Sequence, residues 1–230
     1  MRLSKKNKWI FGISGVGKDA AYALSTIMFI YLTTYVGMSA GFVGGMFMVV
    51  RIWDAVNDPI MGNLVHNTKS RWGKFRPWIL TGTILNGIIV IFVFLNPGFA
   101  PKSIEYMIYI TIFYTLWGMS YTLMDIPFWS MIPALSKHQE DRESVSAITR
   151  FFTTVGFAVV SAPYLLLAAL LGGGTMDVQN ATNSEMRNGF LYFALIISII
   201  FIISQVVMVF NVKEQNVSED HESISLKKMF

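Results

Sequence analysis

Arg51, Asp54 and Asp58 stand at positions i, i+3 and i+7, which on a helix is a single face, and Asn57 adds an amide oxygen beside them. Two carboxylates about one turn apart, with a neutral oxygen between them, suit a hard monovalent cation that takes oxygen ligands. They equally suit a shared proton, because like charges at close range raise the pKa of one carboxyl. Residue type leaves sodium and proton both open. A second constellation is centred on Asp125, with Tyr121 at i−4, Thr122 at i−3 and Trp129 at i+4 on the same helical face. An acceptor, two hydroxyls and a flat indole are what a sugar needs, since its hydroxyls form hydrogen bonds and its C–H face lies on an aromatic ring. Arg150 adds donors, and Lys18 with Asp19 adds another donor and a bidentate acceptor. No nucleophile–base pair, metal-ligand spacing or nucleotide loop is present, so the chemistry read here is binding rather than catalysis.

These groups must be carried by membrane helices. Of 230 residues, 53% are apolar and 14% charged, against about 25% charged in a typical soluble domain. The 18 Phe, 6 Trp, 9 Tyr and 14 Met are more apolar surface than one water-facing domain of this size can hide. With no cysteine, a disulfide framework, a thiolate metal site and a cysteine nucleophile are all excluded. Apolar runs of spanning length fall at about 10–36, 41–65, 78–96, 104–134, 147–171 and 189–211, which predicts six transmembrane helices. Basic residues alternate between the connections. Arg2, Lys5, Lys6 and Lys8 precede the first span, Lys69, Arg71, Lys74 and Arg76 join the second to the third, and Lys213, Lys227 and Lys228 follow the sixth. The net charge of +4 is therefore a topology signal rather than a nucleic-acid footprint, and it places both termini in the cytoplasm. Residues 213–230 read as a cytoplasmic tail. Its end, from Ile224 to Phe230, looks like the opening of an interfacial helix.

Seven ionisable residues fall inside the expected spans: Lys18, Asp19, Arg51, Asp54, Asp58, Asp125 and Arg150. On lipid-facing helix centres they would cost roughly 20 kcal/mol together, so they must share a protein-lined interior. Mutual pairing that merely locks helices is the plain alternative. Four acids against three bases, however, leave one acid for something that is not protein, and a cation is the economical candidate. Pro127 and Pro133 predict an interruption of the fourth helix near this interior. Gly172-Gly173-Gly174 ends the fifth span and lacks the Lys-Ser/Thr of a phosphate loop.

The run RIWDAVNDPIMG from Arg51, the loop SRWGKFRPW from Ser70, the stretch WGMSYTLMDIPFWS from Trp117 and the GKD at Gly17 resemble the glycoside–pentoside–hexuronide:cation symporters, of which melibiose permease is the type. The likeness runs over essentially the whole chain and corresponds to the N-terminal half of a twelve-helix major facilitator fold. It implies an all-α integral membrane bundle of six helices in 3+3 inverted repeats, spanning residues 1–212, in a bacterial plasma membrane. By the same resemblance Asp54, Asn57, Asp58 and Thr122 are cation ligands, and Lys18, Asp19, Tyr121, Asp125, Trp129 and Arg150 contact sugar. Arg71, Lys74 and Arg76 form a basic loop that either takes part in the conformational change or simply anchors the cytoplasmic side, and His66 stands where the broad superfamily often carries an aspartate. The implied activity is sugar uptake coupled to sodium, proton or lithium by alternating access, with no cofactor beyond the cation. The implied partners are the sugar, the bilayer, and a C-terminal six-helix half or a second copy. Two other readings stay open: a cation-coupled carrier of a non-sugar substrate such as a lysolipid, and a non-transporting membrane fragment or interaction subunit.

Overall fold

The structure is a computed structural model and describes residues 2–100 and 102–215. The suggested interfacial stretch and most of the tail lie outside the described residues. Those residues form helices and no strands, in the order α1 (Lys5–Ile30), a π-helical turn (Tyr31–Val36), α2 (Ala40–His66), α3 (Arg76–Phe94), α4 (Ile104–Leu135), α5 (Gln139–Ser161), α6 (Tyr164–Gly173) and α7 (Asn183–Asn211). Hydroxyl caps start four of them. Ser4, Ser39 and Ser103 accept the backbone N–H three residues on, and Thr182 forms a reciprocal box with Glu185. The π-helical turn stops at Gly37, whose φ of 85° a residue with a Cβ rarely adopts.

Helices α3, α5 and α7 are long and apolar enough to cross a membrane by length and composition. Helices α1, α2 and α4 reach 26, 27 and 32 residues but carry the charged and hydroxyl side chains singled out above, which lowers their apolar character. Two breaks differ from expectation. Helix α4 runs unbroken through Pro127 and Pro133. Each proline there forfeits one hydrogen bond, and the buried Met124, Phe128, Met131 and Ile132 hold the rod against its neighbours. The expected fifth span is instead divided at Ala162-Pro163 into α5 and α6.

Helix α1 is the hub, lying along α5 and α7, while α3 lies along α4 and α7, and α6 against α7. Closeness on α5 needs Gly156, where a Cβ would overlap the Val16 carbonyl of α1. The entry to this pair is tied by Asp141. Its carboxylate accepts from Lys8 Nζ at 2.7 Å, the Leu3 N–H at 2.9 Å and Ser136 Oγ at 2.9 Å. The neighbouring Arg2–Glu140 pair at 3.5 Å is solvated on both sides and holds little by comparison. Helix α2 touches the others chiefly through α4, which leaves much of its surface, including the Arg51 side chain, exposed. The packing thus fixes α5 along α1 and α4 along α3, hangs α2 on α4, and leaves side chains to join α4 to α1 at Lys18.

Candidate functional site

On α1, glycines and alanines pack against α5 and α7, and Lys18 is carried into the interior with only 3% of its surface exposed. A buried ammonium must be paired, because leaving it bare costs several kcal/mol. Its Nζ lies 2.8 Å from Asp19 Oδ1 and 2.7 Å from Asp125 Oδ1, and it donates to Tyr121 Oη at 3.1 Å. The i, i+4 spacing on α4 that put Tyr121, Asp125 and Trp129 on one face thus converges on one charge of α1. The ammonium is also 5.2 Å from the centroid of Trp129, whose ring has the Arg150 guanidinium carbon of α5 at 5.4 Å. All six residues expected to face sugar, Lys18, Asp19, Tyr121, Asp125, Trp129 and Arg150, are linked in this way. Phe128, which sequence reasoning did not single out, closes the cluster from behind. It lies 5.6 Å from Lys18 Nζ and stacks on Phe11 at 4.8 Å.

The second cluster sits where α2 meets α4. Arg51 Nη1 is 3.4 Å from Asp54 Oδ2, and Asp54 Oδ1 is buried with no hydrogen-bond partner among the described residues. Asn57 is buried and its amide nitrogen is likewise unpartnered, whereas Asp58 accepts from Thr122 Oγ1 at 3.2 Å. Thr122 therefore belongs with Asp58, not with the sugar-type face on which helical spacing alone put it. Gly118 of α4 is a residue that sequence reasoning missed. A Cβ there would sit 3.5 Å from Asp54 Oδ1, an ordinary contact distance, so this glycine lies directly against that buried oxygen. Asp54 and Asn57 are thus covered at the meeting of α2 and α4, while Asp58 is exposed and bonded to Thr122.

Residues 71–76 present backbone rather than side chain to their main partner. The Glu214 carboxylate beyond α7 accepts the N–H groups of Lys74 at 2.7 Å, Phe75 at 2.8 Å and Arg76 at 3.1 Å. It thereby caps the positive end of α3. Among the side chains, Lys74 Nζ lies 5.7 Å from the Phe75 ring, and Arg71 is exposed. No pattern within the loop could have announced a carboxylate some 140 positions away.

Residues 10–230 match the family model described as MFS/sugar transport protein. The chain belongs to this family. Among curated relatives it is 32% identical over 235 residues to the lactose permease of Lactobacillus helveticus, covering 96% of this chain and 36% of that protein. It is 30% identical to the raffinose carrier protein of Pediococcus pentosaceus, covering 85% of this chain and 31% of that protein. It is 35% identical to the inner membrane symporter YicJ of Escherichia coli K12 over 173 residues, covering 74% and 37% respectively. The chain spans about a third of the length of the curated relatives it matches. The relatives named are permeases, carriers and symporters, and this chain matches one part of their length as a member of the same family.

Proposed function

We propose that residues 1–230 are the N-terminal half of a bacterial sugar:cation symporter working by alternating access. Residues 1–212 form its six-span bundle, with α5 and α6 together making the fifth span. Residues 213–230 begin the loop toward a C-terminal six-helix half that completes the cavity. Cation binding falls to Asp54, Asn57, Asp58 and Thr122, and sugar binding to Lys18, Asp19, Tyr121, Asp125, Trp129 and Arg150. The observation that carries this reading is that adjacent residues of α4, Tyr121 and Thr122, bond to different clusters, Tyr121 to Lys18 and Thr122 to Asp58. A cation that neutralises the α2 carboxylates thus acts one peptide bond from the sugar face, and each ligand can change the affinity of the other.

The coupling ion is sodium, lithium or a proton. The substrate is a glycoside. Lactose and raffinose, named for two relatives, share a galactosyl unit whose hydroxyls suit the Asp19–Lys18–Asp125 arrangement and whose C–H face suits Trp129. The basic loop of Arg71, Lys74 and Arg76, clamped by Glu214, lies on the cytoplasmic side, as do both termini.

The test is gradient-driven uptake. The purified chain is reconstituted in lipid vesicles alone and together with a C-terminal half, an inward sodium or proton gradient is imposed, and labelled lactose is followed. Accumulation is expected only when both halves are present. Accumulation by residues 1–230 alone would overturn the half-transporter assignment, and none with both halves, for lactose and raffinose alike, would overturn the transport reading.

A further inference from the structure

The backbones of α1 and α4 keep apart, and side chains bridge them: Lys18 to Tyr121 and Asp125, and Phe11 to Phe128. The rotation of each helix must therefore be set from behind, by the helices on which it does pack. Helix α4 lies along α3, α3 along α7, and α7 along α1, so these four form a frame whose open side is closed by the Lys18 contacts. On each outer seam of the frame an almost fully buried amide reaches into the facing helix. Asn86 of α3 donates through Nδ2 to the Trp117 carbonyl of α4 at 2.9 Å and to Ser120 Oγ at 3.1 Å, while its Oδ1 accepts the Trp117 indole N–H at 3.2 Å. Gln205 of α7 donates through Nε2 to the Ser14 carbonyl of α1 at 2.8 Å. In an α-helix a carbonyl pairs with the N–H four residues on. The Trp117 carbonyl is thus the one that serves Tyr121, and the Ser14 carbonyl the one that serves Lys18. Each amide grips its helix one turn before the two residues that bond to each other at 3.1 Å. Glycines beside these residues keep the seams close, since a Cβ on Gly87 would press on Ile202 of α7 and one on Gly17 would overlap Ser204.

We propose that Asn86 and Gln205 are positioning residues for sugar binding, a role that rests on the assignment of Lys18, Tyr121 and Asp125 to sugar. They fix the rotation of α4 and of α1 so that Tyr121 and Asp125 face Lys18, and neither touches the sugar. A helix that turns on an apolar seam exchanges one set of van der Waals contacts for another at little cost. A buried amide pulled off its carbonyl is left unpaired, which disfavours every register but one. With both turns held, the ammonium and the Asp125 carboxylate stand at a fixed spacing before sugar arrives, and binding is spared the cost of ordering them.

The experiment measures lactose affinity by titration calorimetry at saturating cation, and thermal stability beside it, on the protein assembled with its second half. Asn86→Leu and Gln205→Leu keep apolar bulk at each seam and remove the donor. Each is expected to weaken lactose roughly two- to tenfold, the scale of one hydrogen bond. The double variant should bind lactose no more weakly than the weaker-binding single variant, because freeing either helix already spoils the meeting at Lys18. Its loss of thermal stability should be the sum of the two, as for separate sites. Trp117→Phe, which keeps a ring on the seam but no longer holds the Asn86 carbonyl, and Gln205→Met serve where a leucine variant does not fold. Both should weaken lactose in the same direction. Folded variants that bind lactose as tightly as the parent would overturn the positioning role. So would affinity losses that add in the double variant, the mark of two independent packing defects. A parent that binds neither lactose nor raffinose would overturn the sugar-site assignment and the positioning role with it.

Discussion

Under the proposed two-site reading, Asp58→Asn is expected to abolish the tightening of lactose by cation while leaving cation-free lactose affinity within about threefold of the parent. The asparagine keeps the shape of the side chain and still offers an oxygen to Thr122 Oγ1, which reaches Asp58 Oδ1 at 3.2 Å. What disappears is one of the two negative charges on that face of α2. Arg51 is already paired with Asp54. Removing Asp58 therefore leaves a site with no net negative charge, and a desolvated monovalent cation has nothing to balance it. The coupling free energy between two ligands is typically 1–3 kcal/mol, about 5- to 150-fold in affinity, and the whole of that factor is expected to be lost. Calorimetric titration of lactose with and without sodium, repeated across pH, reads the effect. A variant stimulated as strongly as the parent would remove Asp58 from the ion site.

The proposed sugar site carries the second large expected effect. Lys18 is almost fully buried and held by Asp19 and Asp125 at 2.8 and 2.7 Å. Asp125→Asn leaves the ammonium with a single carboxylate and removes a charged acceptor from the sugar face. Loss of a charge-assisted hydrogen bond at a buried site costs about 1.5–3 kcal/mol, so lactose should bind roughly ten- to a hundredfold more weakly even at saturating cation. Asp19→Asn should act in the same direction. A monodisperse elution profile and parental helix content distinguish weakened binding from misfolding. Parental affinity in a folded Asp125→Asn protein would contradict the assignment of Asp125 to sugar.

Helical spacing carried much of this arrangement. The Arg51, Asp54, Asn57, Asp58 face and the Tyr121, Asp125, Trp129 face are properties of single helices, and period alone exposes them. What spacing could not supply was pairing between helices. It put Thr122 beside Asp125, and only the family resemblance moved it to the acid pair, where its hydroxyl bonds to Asp58. Proline gave the right signal at the wrong place. Pro163 divides the expected fifth span, while Pro127 and Pro133 are absorbed by the packing around α4. Glu214 was invisible for the same reason as Thr122, since it caps α3 from across the chain.

Two sites that sense each other within one bundle must obey thermodynamic linkage, which can be measured directly. Lactose affinity is titrated over a range of sodium concentration, and sodium affinity over a range of lactose, on the protein assembled with its second half. Lithium, and protons through pH, stand in where sodium has no effect. One of these cations is expected to tighten lactose, and lactose to tighten the same cation by an equal factor, as thermodynamic reciprocity requires of two coupled sites. Lactose and raffinose affinities indifferent to sodium, lithium and pH would contradict it.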